Sequence, residues 1–314
     1  MPEGDSVAFF RTILPYVLSG ISVGGQYALI AIGYTMVYGI LRLINFAHGD
    51  VFMVAGLMMV YFAQALPLYF AIPMVIIMTV LLAFFIEQAA YKPLRTSPRM
   101  SIMISAIGVS YLLQNLALYI TGGLNKNYPS IPWISDTITV FGATTKRVTV
   151  ITPVLVIALV FGLVLFINHT RMGMATRAVA KDFETSQLMG IKINSVISVS
   201  FAIGSFLAAI GSMLYFSNYP GVIPTAGGMP GLKAFVAAVF GGIGSIPGAV
   251  LGGTIIGVCE SIIKGLDSIL MQSGVIKTPL ELATFSDAFT FILLIIILIF
   301  VPTGLFGEKA TDKV

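Results

Sequence analysis

The sequence predicts an all-α, polytopic integral membrane protein, with roughly 8–10 transmembrane or broken helices and an internal repeat. Only 10% of its residues are charged and 57% are hydrophobic, whereas soluble domains carry about 25% charged residues. Mean hydropathy is +0.99, and apolar runs of membrane-spanning length recur to the end of the chain. Short loops rich in Lys and Arg separate some of these runs, as cytoplasmic loops do. The net charge of +4 belongs to such loops and points to no nucleic acid.

The first run follows MPEGDSVAFF, an acidic start unlike the basic one of a cleavable signal peptide, so the first helix is expected to be retained. Apolar spans are expected at 7–23 and 26–41, a Gly-containing pair, then at 50–66 and 69–87. The loop at 88–100 holds Lys92, Arg95 and Arg99 with no acid, which places it in the cytoplasm. Spans at 101–120 and 148–168 bracket an outer excursion at 121–146, where Pro129, Pro132 and Trp133 suggest an ordered interfacial loop. The remaining spans are 195–216, 232–242, 247–264 and 286–303, and no second domain is visible. If 232–264 goes in and returns, the C-terminus is cytoplasmic. The single cysteine, Cys259, lies in an apolar segment and can make no intramolecular disulfide.

The loop at 169–192, HTRMGMATRAVAKDFETSQLMGIK, sets Arg171, Arg177, Lys181 and Lys192 against Asp182 and Glu184. Ala175, Val179 and Phe183 recur every four residues, so 174–189 is expected to form one amphipathic helix. Gly173 precedes it and Gly190 ends it. Pattern alone fits equally a docking element for a cytosolic partner, with Ala178 on the docked face, and a helix lying in lipid headgroups.

Residues 33–56 and 234–257 echo one another: an apolar segment, a Gly-rich break, then a second apolar segment. Gly49 and Gly248 align at the breaks, with Gly244 nearby. Paired interrupted helices in corresponding halves are the sequence pointer to a translocation path. Neutral polar residues within spans, Gln26, Asn45, Gln114 and Asn115, suit the lining of a path for a zwitterion or an uncharged amide; interhelical hydrogen bonds explain Gln114 and Asn115 as well. Glu87 and Glu260 fall near expected span ends, where snorkelling or capping accounts for them. His48 and Asp50 read as a satisfied polar break near the interface. No phosphate loop is present, because GEKAT at 307–311 lacks the leading glycine spacing, and no metal, cofactor or hydrolase motif is found.

Several blocks resemble the bacterial branched-chain amino acid ABC permeases. They are YALIAIGYTMVYGILRLINFAHGDVFMVAG (27–56), AYKPLRTSPRMSIMISAIGVSYLLQN (90–115), RMGMATRAVAKDFETSQLMGI (171–191), KAFVAAVFGGIGSIPGAVLGG (233–253) and VPTGLFG (301–307). Their order and spacing match the family over nearly the whole chain, which is similar to its shorter, LivH-type subunit; the outer excursion at 121–146 departs most. The resemblance implies one transmembrane permease domain over 1–314, in the bacterial inner membrane, with no catalysis and no cofactor. It implies two cytosolic ATP-binding subunits, a second LivM-type permease (the pair forming a homo- or heterodimer) and a periplasmic or extracellular substrate-binding protein. It also implies that 171–191 is the segment engaging the ATPase, and that Leu, Ile or Val is carried. A urea or short-chain amide permease of the same family is the nearest alternative, then an ion-coupled secondary transporter; a channel is the third.

Overall fold

A computed structural model describes residues 3–95, 97–140, 143–272, 276, 278–301 and 303–307, with side chains omitted for 3–11, 140, 143 and 272. The start at Met1 and Pro2, Pro302 within the VPTGLFG block, and the GEKAT stretch beyond Gly307 lie outside these residues. Seven helices among the described residues are long and apolar enough to cross a membrane. The chain is a multi-pass, all-α membrane protein.

The expected pair at 7–23 and 26–41 is instead one helix, α1 (Glu3–Leu41). Gly20 and Gly24 do not break it; they are packing positions. A Cβ at Gly24 would lie 2.7 Å from the Gly253 carbonyl oxygen and from the Thr254 Cα of α11 (Ile246–Gln272), and one at Gly253 would lie 2.8 Å from the Gly24 oxygen. Small residues four apart on both helices let the backbones touch, the route to tight association where lipid offers no hydrophobic drive. Joining two spans into one also moves the first turns of α1 to the face opposite the basic loops.

A break at 42–47 precedes α2 (His48–Ala65). His48 sits beside Gly33 of α1 and Gly204 of α9 (Ile193–Asn218). Gly204 is eleven residues along α9 from Ile193, about 16 Å at 1.5 Å per residue, so α2 begins deep in the membrane. The helix α3 (Leu68–Ile86) does not stop at 87: a π-helical turn, Glu87–Tyr91, and a 3-10 turn, Lys92–Leu94, prolong it. After α4 (Arg99–Thr121) the outer excursion is ordered, as expected. It contains β1 (Lys126–Asn127), α5 (Pro132–Ser135) and the hairpin β2–β3 (Thr137–Val140, Ala143–Lys146). The antiparallel partner of β1 is β4 (Gly221–Val222), which follows α9.

The chain returns through α6 (Arg147–His169) to two short helices, α7 (Arg171–Lys181) and α8 (Phe183–Leu188). Beyond α9, α10 (Gly228–Gly241) and α11 form an antiparallel hairpin with Gly241 against Gly248 and Ala237 against Gly252. Finally α12 (Ser286–Phe300) crosses back, and the Leu305 and Phe306 amides donate to the Phe240 and Gly241 carbonyls, each at 2.9 Å.

Candidate functional site

Three regions hold the candidate residues: the short helices α7 and α8, the two breaks, and a charged cluster within the helical bundle. The α6–α7 joint is one residue long. The Thr170 hydroxyl donates to the Phe166 carbonyl (2.7 Å) and accepts from the Gly173 amide (3.0 Å), capping α7. Gly173 therefore lies inside the helix, not before it, and a Cβ there would collide with the Phe166 and Ile167 backbone.

The single helix expected over 174–189 is split at Asp182, whose extended backbone (φ −150°) starts α8 and whose carboxylate accepts from the Thr185 amide at 3.1 Å. The split corrects the predicted face. Val179 is buried against Ile193, Val196 and Ile197, with Ala175 packed beside it, so this stripe faces the protein's own membrane domain. Ala178 is half-buried, while Phe183, now on another helix, is exposed. The outward face holds Arg171, Met174, Arg177, Phe183, Glu184, Leu188 and Met189, with Leu188 87% and Met189 78% exposed. Arg177 donates to Asn168 at 2.9 Å. Gly190, at φ +83°, ends α8, where the Ile191 amide donates back to the Ser186 carbonyl.

At the first break Arg42 adopts φ +55° and donates to the Ala180 carbonyl of α7 at 3.1 Å, tying this break to the inner-face helices. Asn45 accepts from the Tyr91 hydroxyl at 2.5 Å. Gly49 lies within the first turn of α2, where a Cβ would sit 2.7 Å from the Gly227 carbonyl oxygen at the start of α10. The buried Asp50 accepts from Ser110 and, at 3.0 Å, from Gln114, both on α4. Gln114 is thus an interhelical tie, while Asn115 points outward and donates to Tyr111 of its own helix. His48 and Asp50 do not form the expected interfacial break: both are buried at depth, and while α4 satisfies Asp50, the His48 Nε2 has no hydrogen-bond partner among the described residues.

At the second break the left-handed positions are Gly242 (φ +101°) and Gly244 (φ +103°), and Gly248 lies inside α11. Ile44 of the first break and Ile243 of the second meet in one small cavity with Tyr34, Tyr38, Phe235 and Ala238. Gly49 and Gly248 themselves do not meet; they contact opposite ends of α10.

Two charged residues were misjudged from the sequence. Glu87 is fully buried, pairs with Arg95, and accepts from Ser198 (2.8 Å) and Gln88 (2.6 Å). Arg95 also donates to Asn194, so the end of α3 is bound to the start of α9. Glu260 stands mid-way along α11 and is 2% exposed. It accepts from Tyr27 of α1 (3.0 Å), from Lys233 of α10 (2.8 Å) and from Lys264. Lys233 also pairs with Asp287 of α12 at 2.6 Å and lies over the Tyr27 ring. Both acids are therefore buried among the helices, where the sequence suggests span ends with snorkelling or capping. Lys233, in the block 233–253, was the available signal: its neighbours are all apolar or glycine, so it needed an acid.

The model of the family described as branched-chain amino acid transport system / permease component matches residues 16–298. The chain belongs to this family. It is 39% identical to the high-affinity branched-chain amino acid transport system permease protein BraD of Pseudomonas aeruginosa, over 96% of this chain and 98% of the relative. It is 36% identical to the LivH permeases of Escherichia coli K12 and Salmonella typhimurium, over 97% of this chain and 99% of each. Each of these relatives is named as a permease protein of a high-affinity branched-chain amino acid transport system.

Proposed function

We propose that this chain is the membrane-spanning permease subunit of an ATP-binding-cassette importer, carrying leucine, isoleucine and valine across the bacterial inner membrane. The similarity to BraD over nearly the full length of both chains carries this reading. ATP hydrolysis belongs to two cytosolic partner subunits, and a second, LivM-type permease and an outer substrate-binding protein complete the assembly. The outward face of α7 and α8 supports the coupling role. Met174, Phe183, Leu188 and Met189 give it an apolar centre, rimmed by Arg171, Arg177 and Glu184, the composition of a surface that enters a groove on a partner.

Reconstituted with its partners, the transporter should accumulate leucine only with ATP inside the vesicle reach of the ATPases and loaded binding protein outside. Accumulation of urea but not leucine, or of leucine without ATP, would overturn the reading. Orientation is checked in cells: cysteines replacing Ser97 and Thr185 should react with impermeant reagents only from the cytoplasm, and one replacing Lys126 only from outside. Leu188→Asp should release the ATPases on purification while the chain still inserts. Retention of the ATPases with normal transport in that variant would leave α7–α8 as a membrane-surface anchor.

A further inference from the structure

Four charged side chains meet where α10, α11 and α12 pack, and the first helix adds a tyrosine. Two are lysines and two are acids, so the cluster is neutral as a whole. Such a group is not needed to hold helices together, because well-packed apolar residues of the same volume serve as well or better. Ionisable groups kept within a membrane domain mark functional sites by default. Glu260 has three donors, but among the described residues Asp287 has Lys233 alone, and Asp287 and Lys264 are both half-exposed. Beside the cluster runs an apolar cleft of about 220 Å³ between α11 and α12, lined among others by Ile256, Cys259, Ile263, Phe289, Thr290 and Leu293. Cys259 precedes Glu260 directly, and Thr290 stands one turn beyond Asp287.

We propose that this cluster and cleft form a subsite for the passing amino acid, a proposal that rests on the branched-chain permease reading above. The α-ammonium of the substrate replaces the Lys233 ammonium at Asp287, and the freed Lys233 meets the α-carboxylate. A zwitterion is neutral, so its arrival adds no net charge to a site of low dielectric. The branched side chain enters the cleft, which has room for an isobutyl group. An acid lacking the ammonium, or an amide lacking the carboxylate, would leave one charge of the cluster without its partner, the strongest basis for rejection a polar site has.

Cys259 is the only cysteine of the chain and is half-exposed, so it reports on the cleft directly. In the assembled wild-type transporter, in nanodiscs without binding protein, maleimide alkylation of Cys259 is followed by peptide mass spectrometry. L-Leucine should slow alkylation by about threefold when present at about twice its dissociation constant. 4-Methyl-2-oxopentanoate and leucinamide at the same concentration should not. Asp287→Asn should abolish the protection by leucine. Equal protection by all three compounds would show a cleft that takes any apolar molecule, lipid chains included, and would overturn the proposal. So would absence of protection by leucine when the same transporter, reconstituted in vesicles with ATP and loaded binding protein, takes up leucine; that result sinks the subsite and leaves the permease reading standing. Failure of those vesicles to take up leucine at all would sink both.

Discussion

The two breaks occupy matching places in the repeat yet satisfy their backbones by different means. At 42–47 side chains do the work: Arg42 reaches the α7 backbone, and Asn45 holds Tyr91 of the prolonged α3. At 242–245 the one polar side chain, Ser245, does no more than accept from the Gly248 amide at 3.2 Å. Glycine supplies the left-handed turns, and the Leu305 and Phe306 amides cover the carbonyls that end α10. One break is wired to the inner-face helices, the other to the chain's own tail. Two interrupted segments can therefore be closed by unlike partners, because freed backbone groups in a membrane accept any partner that keeps lipid away.

The largest expected effect comes from the second break. Gly248→Leu would drive a side chain into the Gly241 carbonyl. Overpacking usually costs about 1–3 kcal/mol where neighbours can yield, and a backbone cannot, so the yield of assembled transporter should collapse. A normal yield would mean the α10–α11 contact is looser than described. Gly49→Leu meets Gly227 in the same way, and should also lose uptake.

Arg42 tests the first break. Arg42→Gly removes the tie to Ala180 and also relieves a left-handed residue, a conformation that disfavours side chains by about 1–2 kcal/mol. Thermal stability should hold or rise while leucine uptake falls several-fold with ATP hydrolysis retained. Stability and uptake falling together would reduce the tie to a structural bond. Next in size, Leu305→Pro deletes the donor to Phe240, leaving a carbonyl without a partner at a cost of about 1–3 kcal/mol. A drop in melting temperature with unchanged ATPase coupling is expected. The smallest change is Gly39→Ala in α1, where nothing lies within 4 Å of an added Cβ. Removing a helix-interior glycine should stabilise by about 0.5–1 kcal/mol, and a loss of function there would show that the end of α1 must bend.

Charge and composition made much of this legible in advance. The apolar runs marked spans of membrane-crossing length, and the prolines at 129 and 132 marked a loop with structure of its own. Gly24 and Gly25 misled because glycine punctuates soluble sequences, whereas in α1 Gly24 exists for contact with α11. Glu87 and Glu260 were misplaced because a span was ended where its apolar run ended; a π-turn carried one helix past Glu87, and α11 runs on to Gln272. The single helix expected over 174–189 is interrupted at Asp182. A single extended residue resets helical phase, and no periodicity survives it.

The pairing of α1 with α11 has a consequence for how the protein is made. Tyr27 finds Glu260 only 233 residues later, and at roughly 5–20 residues per second that separates their synthesis by about 12–47 s. Throughout that interval the first helix sits in the bilayer with its glycine seam and its phenol unclaimed. Membrane quality control has its longest look at the chain then, and a ribosome stalled before α11 would leave behind a seam that a second nascent copy could seize.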